Sequence, residues 1–238
     1  MTSSRVLRGI TWNHSRGFLP KVATGETSSS SFSALYQQNP VPAGGATFKP
    51  EWFEHRFDEL PRPTKLYQSA DSAWKDGLTN DRSVVATLAT DMKDIYVIDL
   101  WAGRANYTDL RRIVMETYGK HRPRLLYVEE AASGFALVDD LRRSTGIPIM
   151  GVPPGRDSKE ARAEAVTNWF EAGRVKFPRR ATWMGELLEE FLRFPHGRHD
   201  DIVDAVVLGV KQLQLEIGRL HSADRVKAQW RGYLRSVI

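Results

Sequence analysis

The stretch PHGRHDDIVDA, residues 195–205, places three carboxylates within five positions at the start of an apolar helical repeat. Valines recur at helical spacing after it and predict a buried stripe formed by Val203, Val206, Val207 and Val210. On an ideal helix Asp200 and Asp204 lie along the edge of that stripe, whereas Asp201 points further round. A carboxylate at the edge of a core is unfavourable unless a cation or hydrogen-bond donors satisfy it. These acids therefore either cap the start of a helix or bind a cation, and both interpretations remain open at this point.

Composition limits the classes to which the protein can belong. The 238 residues suffice for one substantial core with extensions. The formal net charge of +5 is a mild basic excess, which suits a polyanionic partner. The absence of cysteine excludes disulfides and cysteine-based zinc sites and fits a reducing cytoplasm. No apolar run approaches about 18 residues, so neither a membrane span nor a membrane partner is expected.

The chain divides by composition into four predicted segments. Residues 1–32, with a serine run, are predicted to be a flexible lead-in. Residues 33–64 contain several prolines and glycines and are predicted to be a connector that packs on the domain through Trp52 and Phe53. Residues 65–216 carry the periodic segments of one domain. Residues 217–238 form a basic tail, for which a tail helix and an interaction segment remain alternatives.

Three β-rich runs open residues 65–216 and are followed by alternating helices and strands. The first run ends at Asp71. The next two runs, 84–89 and 95–101, are predicted to pair as a hairpin. The predicted order, β-β-β-α-β-α-β-α-β-α-α, indicates an α/β fold with a mixed sheet flanked by helices. In the helix that starts near Ser133, we expect Phe135 to face the core together with Val138 and Leu141.

Acidic residues fall where these elements end or begin. Asp71 ends the first strand, Glu129 ends a later one, and Asp200 begins the closing helix. Because sites in open sheets gather at the carboxyl ends of strands, we expect these acids to meet. Carboxylates from separate elements, without cysteine or a suitable histidine cluster, match the oxygen ligands of Mg²⁺ or Mn²⁺. Asp201 and Asp204 are further candidate ligands of the same site.

Glu129 and Glu130 after an apolar strand also fit the acidic half of an ATPase motif. No G-x-x-x-x-G-K-[ST] sequence occurs in the chain, so no phosphate-binding loop supports an ATPase. A solvated acidic pair is the other alternative. It is less favoured because AASG, residues 131–134, predicts a tight turn into a helix directly after the acids.

Basic residues offer two interpretations. Lys159 and Arg162, one helical turn apart, either form a solvated face or neutralise phosphate near the acids. His196 and His199 have the spacing of a metal-binding pair, but their loop context favours a structural or phosphate-contacting role.

Taken in chain order, six stretches resemble the C-terminal nuclease domain of the large terminase subunit of tailed phages and prophages. Together they span about residues 33–212, and their joint order is more specific than any one of them. They are ALYQQNP (34–40), QSADSA (68–73), VEEAASG (128–134), KEARA (159–163), FEAGRV (170–175) and FPHGRHDDIVDA (194–205).

The resemblance implies an RNase H-like fold and metal-dependent endonucleolytic cutting of double-stranded DNA concatemers during genome packaging. It implies two Mg²⁺ or Mn²⁺ ions on Asp71, Glu129 and Asp200, supported by Asp201 and Asp204. It makes Lys159, Arg162, Arg198 and His199 candidate DNA contacts. Family members normally carry an ATPase motor, whose motif this sequence lacks, so translocation is not expected of this chain.

The implied setting is the cytoplasm of a host cell. There the partners would be double-stranded DNA, a terminase ATPase, a small terminase subunit and a portal. Two rival functions remain: another RNase H-like nuclease such as a resolvase, and a non-catalytic docking module of a packaging motor. Preference for DNA junctions would indicate the first rival, and failure to bind any divalent cation would indicate the second.

Overall fold

A mixed sheet of seven strands forms the centre of the protein, whose computed structural model describes residues 46–62, 64–72 and 82–236. In chain order the strands are β1 (Arg56–Phe57), β2 (Lys65–Asp71), β3 (Arg82–Thr90), β4 (Ile95–Arg104), β5 (Leu126–Glu129), β6 (Ile149–Val152) and β7 (Val175–Pro178). Their spatial order is β1-β7-β4-β3-β2-β5-β6.

Helices cover both faces of this sheet. A short 3-10 helix, Pro50–Phe53, precedes them. The α-helices of the described residues are α1 (Tyr107–His121), α2 (Ala132–Ser144), α3 (Lys159–Glu171), α4 (Met184–Arg193) and α5 (Asp201–Ser236). The predicted fold class, a mixed sheet flanked by helices, is confirmed.

Strand directions explain why two acids meet at one edge. Strands β2, β3 and β4 run antiparallel, and β3 and β4 form the predicted hairpin. Strand β5 joins β2 in parallel, with Ala70 paired to Val128. Because parallel strands end at the same edge, Asp71 and Glu129, which follow this pair, lie side by side.

Helices α1 and α2 bury one face of the sheet. Their contribution to this core is Leu110, Val114, Leu137, Val138 and Leu141. The prediction that Phe135 faces the core is wrong, since that side chain is 63% exposed. Gly134 gives the reason, because a Cβ atom added there would lie 1.8 Å from the carbonyl oxygen of Glu129. The face that carries Gly134 therefore packs on the sheet and turns Phe135 outward.

Helices α3, α4 and α5 cover the opposite face, where aromatic side chains dominate the core. Phe48, beside the 3-10 helix, packs edge-on against Phe191 of α4 with ring centroids 4.7 Å apart. Trp52 and Phe53 are buried, as expected for anchors of the connector. The rest of this aromatic cluster is Phe170, Phe177 and Phe194.

Helix α5 is held by its apolar stripe. All four predicted valines are buried, and burial of each contributes roughly 1.5–3 kcal/mol. The helix continues to Ser236, so the basic tail is helical as far as that residue. No helix in the described part of the chain is long and apolar enough to cross a membrane.

The predicted lead-in, residues 1–32, and residues 33–45 of the connector lie outside the described residues. The residues that are described belong to one compact unit, Val41–Ile238.

Candidate metal centre

The turn from β5 into α2 fixes Glu129 beside the end of β2. Only glycine fits at position 134, because any Cβ there would clash with the Glu129 carbonyl oxygen. One residue earlier, the Ser133 hydroxyl donates a hydrogen bond to the carbonyl oxygen of Ser72, the residue after Asp71. These contacts tie the two acid-bearing strand ends together.

The start of α5 is tied to the same place. The buried Ser69 hydroxyl of β2 donates to the carbonyl oxygen of Ala205 at 2.7 Å. Asp204, the residue before Ala205, is thereby brought over the end of β2, and its side chain is only 10% exposed. Acids from β2, β5 and α5 thus converge, as the sequence predicted.

Asp71 shows the electrostatic consequence of this convergence. Burial raises the pKa of its carboxyl group, and the nearby Asp204, Glu129 and Asp201 raise it further, to about 7. Lys159 opposes the rise but does not cancel it. The protein therefore gathers more negative charge around Asp71 than its own cations neutralise, which is the environment expected of a cation site.

Two basic side chains from α3 enter the acidic group. Lys159 Nζ lies 2.8 Å from Asp200 Oδ2 and 2.7 Å from Asp204 Oδ2. Arg162 pairs with Glu129 through Nη1 and lies 3.6 Å from Asp204 Oδ1 through Nη2. We name these residues, Asp71, Glu129, Asp200, Asp201, Asp204, Lys159 and Arg162, the acid cluster.

Burial and the hydrogen bonds of Lys159 act in opposite directions on the pKa values of Lys159 and Asp204. Burial alone would lower the pKa of Lys159, but its hydrogen bonds to Asp200 and Asp204 raise that pKa above its usual value. Burial raises the pKa of Asp204, and the hydrogen bond from Lys159 counteracts the rise. Burial and the neighbouring Asp200 also raise the pKa of Asp201.

The chemistry of the acid cluster fits a hard divalent cation, because it offers carboxylate oxygens from three elements and no sulfur ligand. Among the described residues, however, no three acids or histidines are spaced to hold an ion as they stand. As they stand, the carboxylates of Asp200, Asp204 and Glu129 are paired with Lys159 and Arg162 instead.

The four candidate DNA-contacting residues lie in two different environments. Arg198 and His199 are exposed in the loop between α4 and α5, and His199 Nδ1 lies 3.9 Å from Asp201 Oδ2. Lys159 is about half exposed, whereas Arg162 is largely covered and turned onto Glu129. Arg198 and His199 thus face solvent beside the acids, while Lys159 and Arg162 contact the acids themselves.

Sequence reasoning missed Glu190 and Arg82. Glu190 of α4 is 5% exposed and pairs with Arg82 at the start of β3. One signal was available, because Glu190 lies between Leu187 and Phe191 on the apolar side of a predicted helix, where an unpaired carboxylate is unfavourable.

Comparisons with solved structures show the same fold in three terminase proteins. The human cytomegalovirus terminase nuclease domain is 16% identical with a TM-score of 0.52, and the match covers 70% of this chain and 94% of that one. The P22 large terminase nuclease domain is also 16% identical, with a TM-score of 0.50 and coverages of 70% and 91%.

The third structure is longer than this chain. A large terminase from a thermophilic bacteriophage is 14% identical with a TM-score of 0.51, and the match covers 70% of this chain but only 44% of that one. No curated protein matches the sequence.

A family model decides the relationship. The model of the terminase RNase H-like domain matches residues 70–212, which begin just before Asp71 and include Glu129 and Asp204. The matched segment is more than half of the chain and contains the whole acid cluster. The protein belongs to the terminase RNase H-like domain family.

Proposed function

We propose that this protein is a divalent-metal-dependent endonuclease that cuts double-stranded DNA concatemers during phage genome packaging. The observation that carries the proposal is the convergence of acids from β2, β5 and α5, which leaves Asp71 with a pKa raised to about 7. Family membership supports it, since the related structures from cytomegalovirus and P22 are described as terminase nuclease domains.

The metal ligands would be Asp71, Glu129 and Asp200, with Asp201 and Asp204 binding directly or through water. A pair of Mg²⁺ or Mn²⁺ ions in such a site supplies an activated water and stabilises the leaving oxygen of a phosphodiester. Asp71 is close enough to Asp204, Glu129 and Asp201 for all three to raise its pKa, so it would be a central ligand of such a site.

The basic residues would act on the DNA backbone. Arg198 and His199, exposed beside the acids, would hold phosphates with little base readout. Lys159 would leave Asp200 and Asp204 when metal binds, and its ammonium group would then be free to donate to a phosphate oxygen.

A wider assembly is part of the proposal. The match spans less than half of the bacteriophage large terminase, so other segments of that protein have no counterpart in the match. We infer that this domain works with a terminase ATPase, a small terminase subunit and a portal, and acts in the host cytoplasm.

Plasmid cleavage tests the activity. Purified protein is incubated with supercoiled plasmid and Mg²⁺, Mn²⁺ or EDTA, and nicked and linear products are measured. We expect cleavage with either metal, none with EDTA, and none with the Asp71→Asn variant. Intact plasmid after long incubation of folded wild-type protein with Mn²⁺ would refute the proposal.

A docking module without catalysis is the competing function, and one observation favours it. Lys159 and Arg162 pair with three of the acids, as they would in a purely structural network. Titration of the metal-free protein with Mn²⁺ separates the two functions, because a nuclease must bind the ion and a structural network does not.

A further inference from the structure

Helix α5 begins without the usual cap. The carbonyl oxygen of Asp200 accepts the first helical hydrogen bond, from the Asp204 N–H at 2.9 Å, so Asp200 occupies the capping position. A residue there normally accepts a hydrogen bond through its side chain from the N–H two or three residues later. The Asp200 carboxylate instead pairs with Lys159 Nζ at 2.8 Å, facing the acid cluster.

Glu190 of α4 performs the capping instead. Its Oε2 accepts a hydrogen bond from the backbone N–H of Ile202 at 2.8 Å. Ile202 is the second residue after Asp200, so this N–H is one that a capping aspartate would otherwise bind. A side chain from another helix thus satisfies the first turn of α5.

Arg82 holds Glu190 in this position. Its Nη1 donates to Glu190 Oε1, and its Nη2 donates to Glu186 Oε1 at 2.5 Å. Both oxygens of Glu190 are therefore engaged, one by Arg82 and one by Ile202, so Glu190 is not free to bind a cation. Charge-assisted hydrogen bonds on both oxygens of a buried carboxylate give it one orientation.

We propose that Glu190, clamped by Arg82, is a positioning residue that caps α5 in place of Asp200 and so leaves the Asp200 carboxylate free to bind a divalent cation. The inference rests on the proposed function, because it assigns Glu190 a role in building that metal site. It assigns no contact between Glu190 and the metal or the DNA.

Removal of Glu190 leaves the Ile202 N–H without an acceptor inside the protein. The Asp200 side chain is the group that helix geometry places within reach, and an unpaired buried N–H is unfavourable. Asp200 would turn back to cap its own helix and withdraw from the site. Loss of a residue that orients a ligand typically lowers metal affinity about 10–100-fold.

Mn²⁺ affinity measured by calorimetry on metal-free protein, well below the unfolding temperature, tests this role. We expect Glu190→Ala to bind Mn²⁺ about 10–100-fold more weakly than the wild type. Glu190→Gln keeps an oxygen acceptor for Ile202 and should restore most of the affinity. Glu186→Gln is the matched control, because it breaks the exposed half of the Arg82 contacts and leaves the cap intact.

A second background shows whether Glu190 acts through Asp200. In Asp200→Ala protein the further change Glu190→Ala should alter Mn²⁺ affinity little, because the side chain it positions is gone. A merely structural Glu190 would lower stability in both backgrounds and leave the affinity of the folded protein unchanged. If Glu190→Ala does not fold, Arg82→Met/Glu190→Leu replaces the buried pair with apolar side chains of similar size.

Two results would overturn the inference alone. One is wild-type Mn²⁺ affinity in Glu190→Ala or in Arg82→Met/Glu190→Leu. The other is an equal loss of Mn²⁺ affinity from Glu190→Ala in proteins with and without Asp200. Failure of the wild type to bind Mn²⁺ is a different result, because it would refute the proposed function and the inference with it.

Discussion

Lys159 and Arg162 give the acid cluster its own positive charge. Lys159 bridges Asp200 and Asp204, and Arg162 bridges Glu129 and Asp204. In the absence of metal these contacts offset part of the repulsion among the acids. They also compete with any divalent cation, which must displace at least Lys159 to reach both of its carboxylates.

Replacement of Lys159 should therefore lower the stability of the metal-free protein but increase its stabilisation by Mn²⁺. We expect Lys159→Met to lower the free energy of unfolding of metal-free protein by up to about 1 kcal/mol, because the ion pair is partly exposed. We expect Mn²⁺ to raise the unfolding temperature of this variant more than that of the wild type, since no cation has to be displaced.

Thermal unfolding with and without Mn²⁺ measures both effects. Lys120→Met is the matched control, because Lys120 also forms an ion pair with an aspartate, Asp99, but that aspartate is not part of the acid cluster. An unchanged Mn²⁺ response in Lys159→Met would mean that Lys159 does not compete with the metal ion.

Asp71 should destabilise the metal-free protein at neutral pH. Its carboxyl group ionises near pH 3.8 in the unfolded chain but near pH 7 in the folded protein. Between these values the folded state keeps a proton that the unfolded state has lost, so stability falls as the pH rises. We expect Asp71→Asn to be at least as stable as the wild type, with an advantage that grows from pH 4 to pH 8.

Denaturant unfolding of metal-free protein at several pH values between 4 and 8 tests this expectation. Asp139→Asn, which alters an acid of α2 outside the cluster, is the matched control for the loss of one carboxylate. A less stable Asp71→Asn variant at pH 8 would indicate a structural Asp71.

At the scale of single residues, the sequence predicts which acids meet but not how their side chains are paired. Asp71 and Glu129 are predictable because strands end at them. The bond from Ile202 to Glu190 is not, because the two residues come from different helices and only packing brings them together. Lys159 and Arg162 are recognisable as candidate DNA contacts, but their pairing with the acids depends on where α3 lies in three dimensions.

At the scale of elements, the distance between α5 and the sheet is set by Gly209. A Cβ added there would lie 2.6 Å from Leu88 Cδ1 and 2.7 Å from Ser69 Oγ. The Ser69 hydroxyl also holds Ala205 beside the acid cluster. Close packing at Gly209 therefore places the acid-bearing end of α5 at its distance from β2.

We expect Gly209→Ala to destabilise the protein by about 1–3 kcal/mol, because the added methyl group overpacks a buried contact. It should also weaken Mn²⁺ binding by shifting the start of α5. Gly218→Ala is the matched control in the same helix, since nothing lies within 4 Å of the added Cβ.

In an open helical position, alanine is favoured over glycine by up to about 1 kcal/mol, so the control should be slightly more stable than the wild type. Denaturant unfolding and Mn²⁺ titration measure both variants. Equal stability of the two variants would show that α5 adjusts freely on the sheet.

Helices and strands whose apolar residues recur with a regular period can be predicted from the sequence. The residues at which these elements begin and end cannot. The hairpin of β3 and β4 follows from two β-rich runs joined by a short polar link. The apolar repeat of α5 stops being regular before its helix ends, so the sequence alone does not show whether the basic tail continues the helix, which runs to Ser236. Phe135 fits an apolar period, and only the glycine contact beneath α2 shows why it is exposed.

At the scale of the whole molecule, residues 1–32 are expected to be dispensable for folding of the rest. Their sequence, with a serine run, offers few side chains for a core. We expect a chain that begins at residue 33 to unfold cooperatively, with a midpoint close to that of the full chain. Loss of cooperative thermal unfolding in this shortened chain would contradict the prediction.

The packing of α5 on β2 and β3 also sets the time at which the acid cluster forms during synthesis. Ribosomes deliver roughly 5–20 residues per second, and β2, β3 and β5 emerge well before α5. A nascent chain therefore carries Asp71 and Glu129 without Asp200 or Asp204, and it has no complete site. The charge repulsion of the finished cluster arises only when α5 docks, so the complete set of acids forms after α5 has been synthesised rather than while the sheet is still being made.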